Sequence, residues 1–267
     1  MNNPQLPEAF QSVFGFGALK RYFPVKKFSR WGNALLGAFL LAGSAAIAAY
    51  GLYEAYWWTQ RNGPVMFMDK LTGPAVIAAV LFLIAIFVAA SAYSHWNMGA
   101  VIYENGLAYR DRKGVRTWRW EDVVSLTSAV VRHYTNGVYT GTTHRYTLID
   151  RQGGKLVLGD VFIKVEELAA AVEAGIFPKL YERAIGSYNA GETLTFGPVI
   201  LNKTGIQIGK KMYPWSEVKQ VSIQRGIVQV SKKDGGWFSG ASATASSIPN
   251  LRVLLSIVDQ IVGIKAA

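Results

Sequence analysis

The chain has no cysteine. That removes disulfides, thiolate nucleophiles, thiol-ligated zinc and iron–sulfur clusters together. Charge is scarce as well: 17% of residues carry it, against about 25% in an ordinary soluble domain. What charge there is leans to one sign, with 28 Lys and Arg against 17 Asp and Glu, a formal balance of +11. The three histidines, His95, His133 and His144, stand apart and show no His-Glu-x-x-His or other metal-ligand spacing. Gly15-Phe16-Gly17 lacks the preceding strand and the Gly-Lys-Ser/Thr ending of a phosphate loop. Neither a catalytic group, nor a metal, nor a cofactor is expected, and the chain reads as non-enzymatic.

Apolar runs, by contrast, are long. Residues 74–93 hold twenty positions without one charge, and residues 34–53 hold another twenty. Twenty such residues cover a hydrocarbon core about 30 Å thick. A helix apolar on every face needs either lipid or a very large core around it, and the rest of this chain supplies no such core. Two transmembrane helices are the expectation. Neither carries an acid or base in its interior, which excludes an autonomous ion channel or proton-coupled transporter. The first run is rich in small residues, among them Gly37, Gly43, Ser44, Ala45 and Ala46, which let helix backbones approach closely inside lipid. It is expected to pack on the second helix or on another copy, making a homo-oligomer one of the partners to test. A small-residue cleavage site near Ala49 would make the run a signal peptide, but the 33-residue polar lead and the long run speak against that reading.

Charges beside the spans set their direction. Residues 1–33 carry Lys20, Arg21, Lys26, Lys27 and Arg30 against the single acid Glu8. Residues 54–73 carry Glu54, Arg61, Asp69 and Lys70, which cancel, and open with the interfacial cluster Tyr56, Trp57 and Trp58. Lys and Arg collect on the cytoplasmic side, so both termini are expected inside a cell inner membrane, with the loop outside. The leading segment is either a topogenic tail or an interfacial one whose rings (Phe10, Phe14, Phe16, Tyr22, Phe23) enter the headgroup layer.

From Ala100 the period shortens to that of strands. Val101-Ile102-Tyr103-Glu104-Asn105-Gly106-Leu107-Ala108-Tyr109 reads as strand, turn, strand, with Asn-Gly supplying the turn. Ile200-Leu201-Asn202-Lys203-Thr204-Gly205-Ile206-Gln207-Ile208 has the same grammar, and Trp120-Glu121-Asp122-Val123 matches Trp215-Ser216-Glu217-Val218. Gly turns at Gly153-Gly154 and Gly235-Gly236 follow in the two copies, and each ends in a helix, over 164–173 and 249–262. Between the copies Pro178 opens a connecting helix over 178–188. This is a tandem repeat of β-rich units, each closed by a helix. Four segments result: a basic lead over 1–33, the two helices and their loop over 34–96, the first unit with its connecting helix over 97–190, and the second unit over 191–267.

The run from Tyr103 to Tyr109, the Trp118-Arg119-Trp120-Glu121-Asp122-Val123 string, and in the second copy Pro214-Trp215-Ser216-Glu217-Val218 with the closing 248–255, resemble bacterial pleckstrin-homology-like (PH-like) domains. The whole plan is similar to an uncharacterised bacterial membrane-anchored family with paired spans and tandem domains of that kind. The resemblance implies an α+β membrane protein: a two-helix transmembrane hairpin followed by two PH-like β-barrel or sandwich units, each closed by a C-terminal helix. It implies no activity and no site residue.

One cluster invites a ligand. Arg110, Arg112, Lys113, Arg116 and Arg119 fall on the first basic hairpin, where PH domains hold phosphoinositide headgroups, and each such cation attracts anionic lipid by about 1 kcal/mol. The same residues also fit a solvated outer face, with Asp111 and Glu121 beside them. Trp120 recurs as Trp215, which points to packing. The expected function is a membrane-anchored binding or scaffold module that recruits a protein partner along an edge strand or a helix–sheet groove. The alternatives are an anionic-lipid sensor and a structural subunit of a larger membrane complex. Membrane lipid is an expected partner; nucleic acid is not.

Overall fold

The computed structural model of the chain describes residues 7–10, 13, 15–233 and 240–266. The expected Gly235-Gly236 turn and Phe14 lie outside these. The described residues form two compact units, one made of 24–99 with 109–115, the other of those up to Phe23 with 100–108 and 116–266.

In the first unit, a turn of π-helix over Phe28–Gly32 leads into α1 (Asn33–Asn62), and α2 (Met66–Trp96) returns beside it. The twenty-residue loop expected between the spans is reduced to Gly63-Pro64-Val65. Loss of hydropathy after Tyr53 marks where lipid would end, not where a helix must, and Glu54, Ala55, Gln60 and Arg61 are sound helix formers. Gly63, at φ +93, ends α1 because it alone accepts that backbone without strain. The two helices meet along small residues seven apart: Gly37, Ser44 and Gly51 on α1, Ala78, Ala85 and Ala92 on α2. A seven-residue period keeps one stripe facing the partner along the whole length. Ser44 Oγ donates to the Ala78 carbonyl at 2.8 Å inside this seam. Gly37 faces the α2 backbone at Ala85 and Ala89, whereas Gly43 has open space around it. Of the two glycines expected to serve packing, only Gly37 does so within the chain.

The other faces of both helices are apolar and bare. Phe39 is 75% exposed and Phe87 77%. Both helices are long and apolar enough to cross a membrane.

The strands repeat one order of elements. A four-stranded sheet, β1 (Leu19–Pro24), β2 (Gly99–Tyr103), β3 (Gly106–Asp111) and β4 (Gly114–Arg119), is followed by a three-stranded one, β5 (Val123–Thr135), β6 (Val138–Asp150) and β7 (Lys155–Gly159). Then comes α3 (Val165–Asn189). The second pass gives β8 (Leu194–Phe196), β9 (Val199–Leu201), β10 (Gly205–Ile208) and β11 (Lys211–Pro214), then β12 (Val218–Gln224), β13 (Ile227–Lys232) and β14 (Ala241–Thr244), then α4 (Leu251–Val262). A short β15 (Ile264–Ala266) adds to β12 in parallel.

The matched residues do the same work in both passes. Trp120 N donates to the Asn105 carbonyl and Trp215 N to that of Thr204, each at 3.1 Å, and each acceptor precedes the glycine of its turn. The indole Nε1 groups donate to the carbonyls of Glu104 (3.0 Å) and Asn202 (2.9 Å). A side chain at Gly106 would strike the Trp118 carbonyl, and one at Gly205 the Tyr213 carbonyl, so both glycines are required by close backbone approach. Arg151 N reaches the Asp122 carbonyl as Lys233 N reaches that of Glu217. Even the helix entries agree: Lys164 (φ +56) before α3 and Asn250 (φ +52) before α4 are both left-handed.

Three expectations change. The basic lead was set apart from the β-rich half, yet its Leu19–Pro24 is an edge strand beside β2, and Phe10, Phe16 and Phe23 are buried. Arg21 pairs with Glu167 at the first turn of α3; Lys164 foremost, with Arg21, holds that carboxyl below the ordinary carboxylate range. The helices expected over 164–173 and 178–188 are one, since α3 runs through Pro178 without a break. Finally, of the barrel and the sandwich expected for the β-rich units, the barrel does not form: among the described residues the strands make four separate sheets. At the Trp120-Glu121-Asp122 corner the chain leaves the first sheet instead of continuing its ladder.

The two passes are fastened together. Asn250 N donates to the Leu126 carbonyl, its Oδ1 accepts from Leu126 N, and its Nδ2 donates to the Val124 carbonyl, all at 2.8 Å. One side chain thereby imitates a neighbouring strand along β5.

Candidate functional site

The five-residue basic cluster is divided between the units. In the helical unit, Arg110 is half-buried, Arg112 and Lys113 are exposed, and the Arg112 guanidinium lies 5.2 Å from the ring centre of Tyr93 on α2. Lys113 N is held by Asp111 Oδ1 at 2.8 Å, which fixes the turn and leaves the ammonium outward. In the β-rich unit, the Arg116 guanidinium lies 5.4 Å from the Trp118 ring centre, and that of Arg119 lies 5.3 Å from Phe16. Arg119 also lines a polar cleft of about 430 Å³ with Glu104, Glu121 and Lys179. Two acids and two cations balance there, so Arg119 faces no surplus of positive charge.

Cation and ring come together at both ends of the helix pair. At the end where α1 begins, Trp31 and Trp96 meet edge to face at 5.0 Å, Arg30 Nη2 donates to the Met98 carbonyl at 3.2 Å, and Arg112 covers Tyr93. At the other end Trp57 and Trp58 meet at 5.2 Å, with Arg61 3.8 Å over one ring and Lys70 5.2 Å over the other. From Trp31 to Trp57 is 26 residues, about 39 Å at a helical rise of 1.5 Å. That is close to the roughly 40–45 Å between the two polar surfaces of a bilayer.

In the β-rich unit an apolar cleft of about 310 Å³ opens between β5, α3 and α4. Leu126, Ile176, Leu180 and Val253 form its floor, while Glu173 and Arg252 stand at its rim, 3.8 Å apart. The guanidinium of Arg252 lies 4.5 Å over Phe177 and is held there. The cleft exists because α3 and α4, one from each pass, splay over the same strand. No single segment announces such a cleft in advance.

A histidine is gripped in the first pass. His144 Nδ1 lies 2.8 Å from Asp160 Oδ1 and Nε2 lies 2.6 Å from Glu166 Oε1, while His144 N donates to Asp160 Oδ2 at 2.8 Å. Burial foremost, then the carboxylates of Glu166, Asp160 and Glu173, raises the Tyr146 phenol that stacks on this ring. With a carboxylate at each nitrogen the imidazole has no free edge for a third group, and it ties β6 to the start of α3. His133 is elsewhere on the same strands, bonded to Thr143 Oγ1 at 2.7 Å.

Sequence reasoning missed one surface altogether. β5 and β6 pair over 13 residues each, out to Thr135 and Val138, whereas β7 covers β6 only from Arg145 inward. The outer half is an arm with Val130, Val131, Tyr134, Val138 and Tyr139 all exposed. Its signal was present: Asn136-Gly137, both at positive φ (+50 and +80), between two runs rich in Val, Thr and Tyr.

These features define an α+β chain with two long apolar helices and a twice-repeated set of sheets. The chain belongs to DUF6585, a family of unknown function, which it matches over residues 18–265. No curated protein matches it.

Proposed function

We propose that the chain is a membrane-anchored, non-enzymatic binding module. Its two helices cross a bacterial inner membrane with both termini in the cytoplasm, and its tandem PH-like units receive a protein partner in the cleft between β5, α3 and α4. The observation that carries this reading is the cleft itself: about 310 Å³ with an apolar floor and one charge of each sign at its rim. Such a lining suits an apolar anchor side chain flanked by polar groups. A four-stranded sheet, a three-stranded sheet and a closing helix, met twice in order, support the PH-like reading. The two girdles of rings and cations about 39 Å apart support the anchor.

The cleft is tested by placing a photo-crosslinking residue at Leu251 in native membranes, with Lys210, on an exposed turn, as control. One discrete protein adduct is expected from position 251, absent from 210 and absent when Ile176 on the floor is changed to Glu. Equal adducts at both positions, or none at 251, would remove the cleft as partner site.

Anionic-lipid sensing is favoured by a separate observation, the exposed Arg112 and Lys113 beside the ringed end of the helices. If they hold lipid phosphate, replacing both by Glu lowers phosphatidylglycerol affinity of the full chain in detergent about 30-fold, from two lost contributions of about 1 kcal/mol each. Native mass spectrometry of retained lipid reads this directly, and unchanged retention eliminates that role.

A further inference from the structure

The arm formed by the outer halves of β5 and β6 carries five exposed apolar side chains: Val130, Val131, Tyr134, Val138 and Tyr139. From Val130 outward no described strand pairs with either edge. Cross-strand register puts Val130, Arg132, Tyr134 and Tyr139 on one face, where the two tyrosine rings meet at 5.9 Å, and Val131 and Val138 on the other. The exposed apolar residues run from 51% to 67% exposure. A lone two-stranded ribbon is marginally stable in water, and one with bare Val and Tyr on one face and bare Val on the other is better suited to a partly apolar surrounding.

Charge says which surrounding. Between Val123 and Ile149 the sequence has no Asp or Glu, while it has Arg132 and Arg145. Two arms laid on each other would bring like charges together, which disfavours a second copy. A partner protein would cover one face and leave the other wet. A headgroup layer surrounds both faces, takes tyrosine at its polar–apolar boundary and, when anionic, attracts arginine. Val130 to Thr135 is six residues, about 20 Å of strand, and an interfacial element needs to enter only about 5–10 Å.

We infer that the β5–β6 arm is a second, reversible membrane contact, whose tip (Tyr134, Thr135, Val138, Tyr139) enters the headgroup layer of an anionic bilayer. This rests on the membrane anchoring proposed above. It adds a lipid contact by a surface remote in sequence from the helices and from the Arg110–Lys113 turn.

The absence of cysteine makes the test direct, since one introduced thiol is the sole labelling site. Nitroxide spin labels are placed singly on Val138→Cys and, as control, on Arg151→Cys at the exposed turn after β6. The full chain is reconstituted in phosphatidylcholine vesicles with and without phosphatidylglycerol and first floated on a density gradient. A chain that does not float refutes the anchoring reading. In floated chains carrying phosphatidylglycerol, the Val138 label is expected to be relaxed several-fold more by oxygen than by a water-soluble nickel chelate, with the opposite order at position 151. Adding Arg132→Glu, or omitting phosphatidylglycerol, is expected to shift the Val138 label several-fold toward water. Floated chains whose Val138 label behaves like the control overturn the arm contact while leaving the anchor intact. Spin–spin broadening between labels, or shielding from both reagents, overturns it in favour of a second copy or a protein partner.

Discussion

Gly205→Val is expected to unfold the second pass of the β-rich unit, at a cost of about 4 kcal/mol or more. A Cβ at this position meets the carbonyl of Tyr213 and the Cα of Pro214, both backbone atoms in the paired strand β11. Tyr213 is itself fully buried, so the strand has nowhere to retreat. With 2–4 °C per kcal/mol for a body of this size, the near-UV transition of the detergent-solubilised chain should fall by about 8–16 °C. Gly159→Ala is the matched comparison. Its added carbon would sit 3.5 Å from the His144 carbonyl, an ordinary contact, and the melt should hardly move. Equal loss in both variants would mean that glycine acts here through chain flexibility and not through close approach.

Gly51→Leu is expected to force α1 and α2 apart. The nearest atoms to an added Cβ are Pro74 Cβ at 2.5 Å and Pro74 Cγ at 3.1 Å, and a proline ring has no alternative rotamer that yields space. Overpacking of this kind costs about 3 kcal/mol, and in apolar solvent no hydrophobic driving force between the helices compensates for lost contact. Titration with denaturing detergent, followed by circular dichroism, should show a lower midpoint. Gly43→Leu, which meets nothing within 4 Å, should keep the midpoint of the parent chain. If Gly43→Leu were the damaging change, the small residues of α1 would serve contact with another molecule instead of the seam seen here.

Much of this architecture could be read in the residues because local rules governed it. Residues 34–53 and 74–93 are apolar all round, so a helix was the answer whatever lay beside them. Gly106 and Gly205, Trp120 and Trp215 kept their spacing because each pair satisfies the same backbone groups. What was missed depends on partners far away. Lys20-Arg21-Tyr22-Phe23 looks like a charged tail until β2, more than seventy residues on, provides an edge for it. Pro178 looks like a helix start, yet it sits inside α3. The basic cluster was legible as composition only; that Arg112 would lie over Tyr93 and Arg119 beside Glu121 depends on how the hairpin folds. The cleft was beyond reach for the same reason, since its walls come from residues 126–180 and 250–255.

The triple bond set of Asn250 has a consequence for shortening the chain. A polypeptide stopped at Ala190 would retain β5 but lose the side chain that caps its outer margin at Val124 and Leu126. It would also bare Ile176 and Leu180. Such a fragment would present a sticky ribbon edge beside a greasy helix, the combination from which clumping begins. The later half of the molecule therefore covers the open strand margin and the apolar helix face of the earlier half, and the two are best produced as one chain.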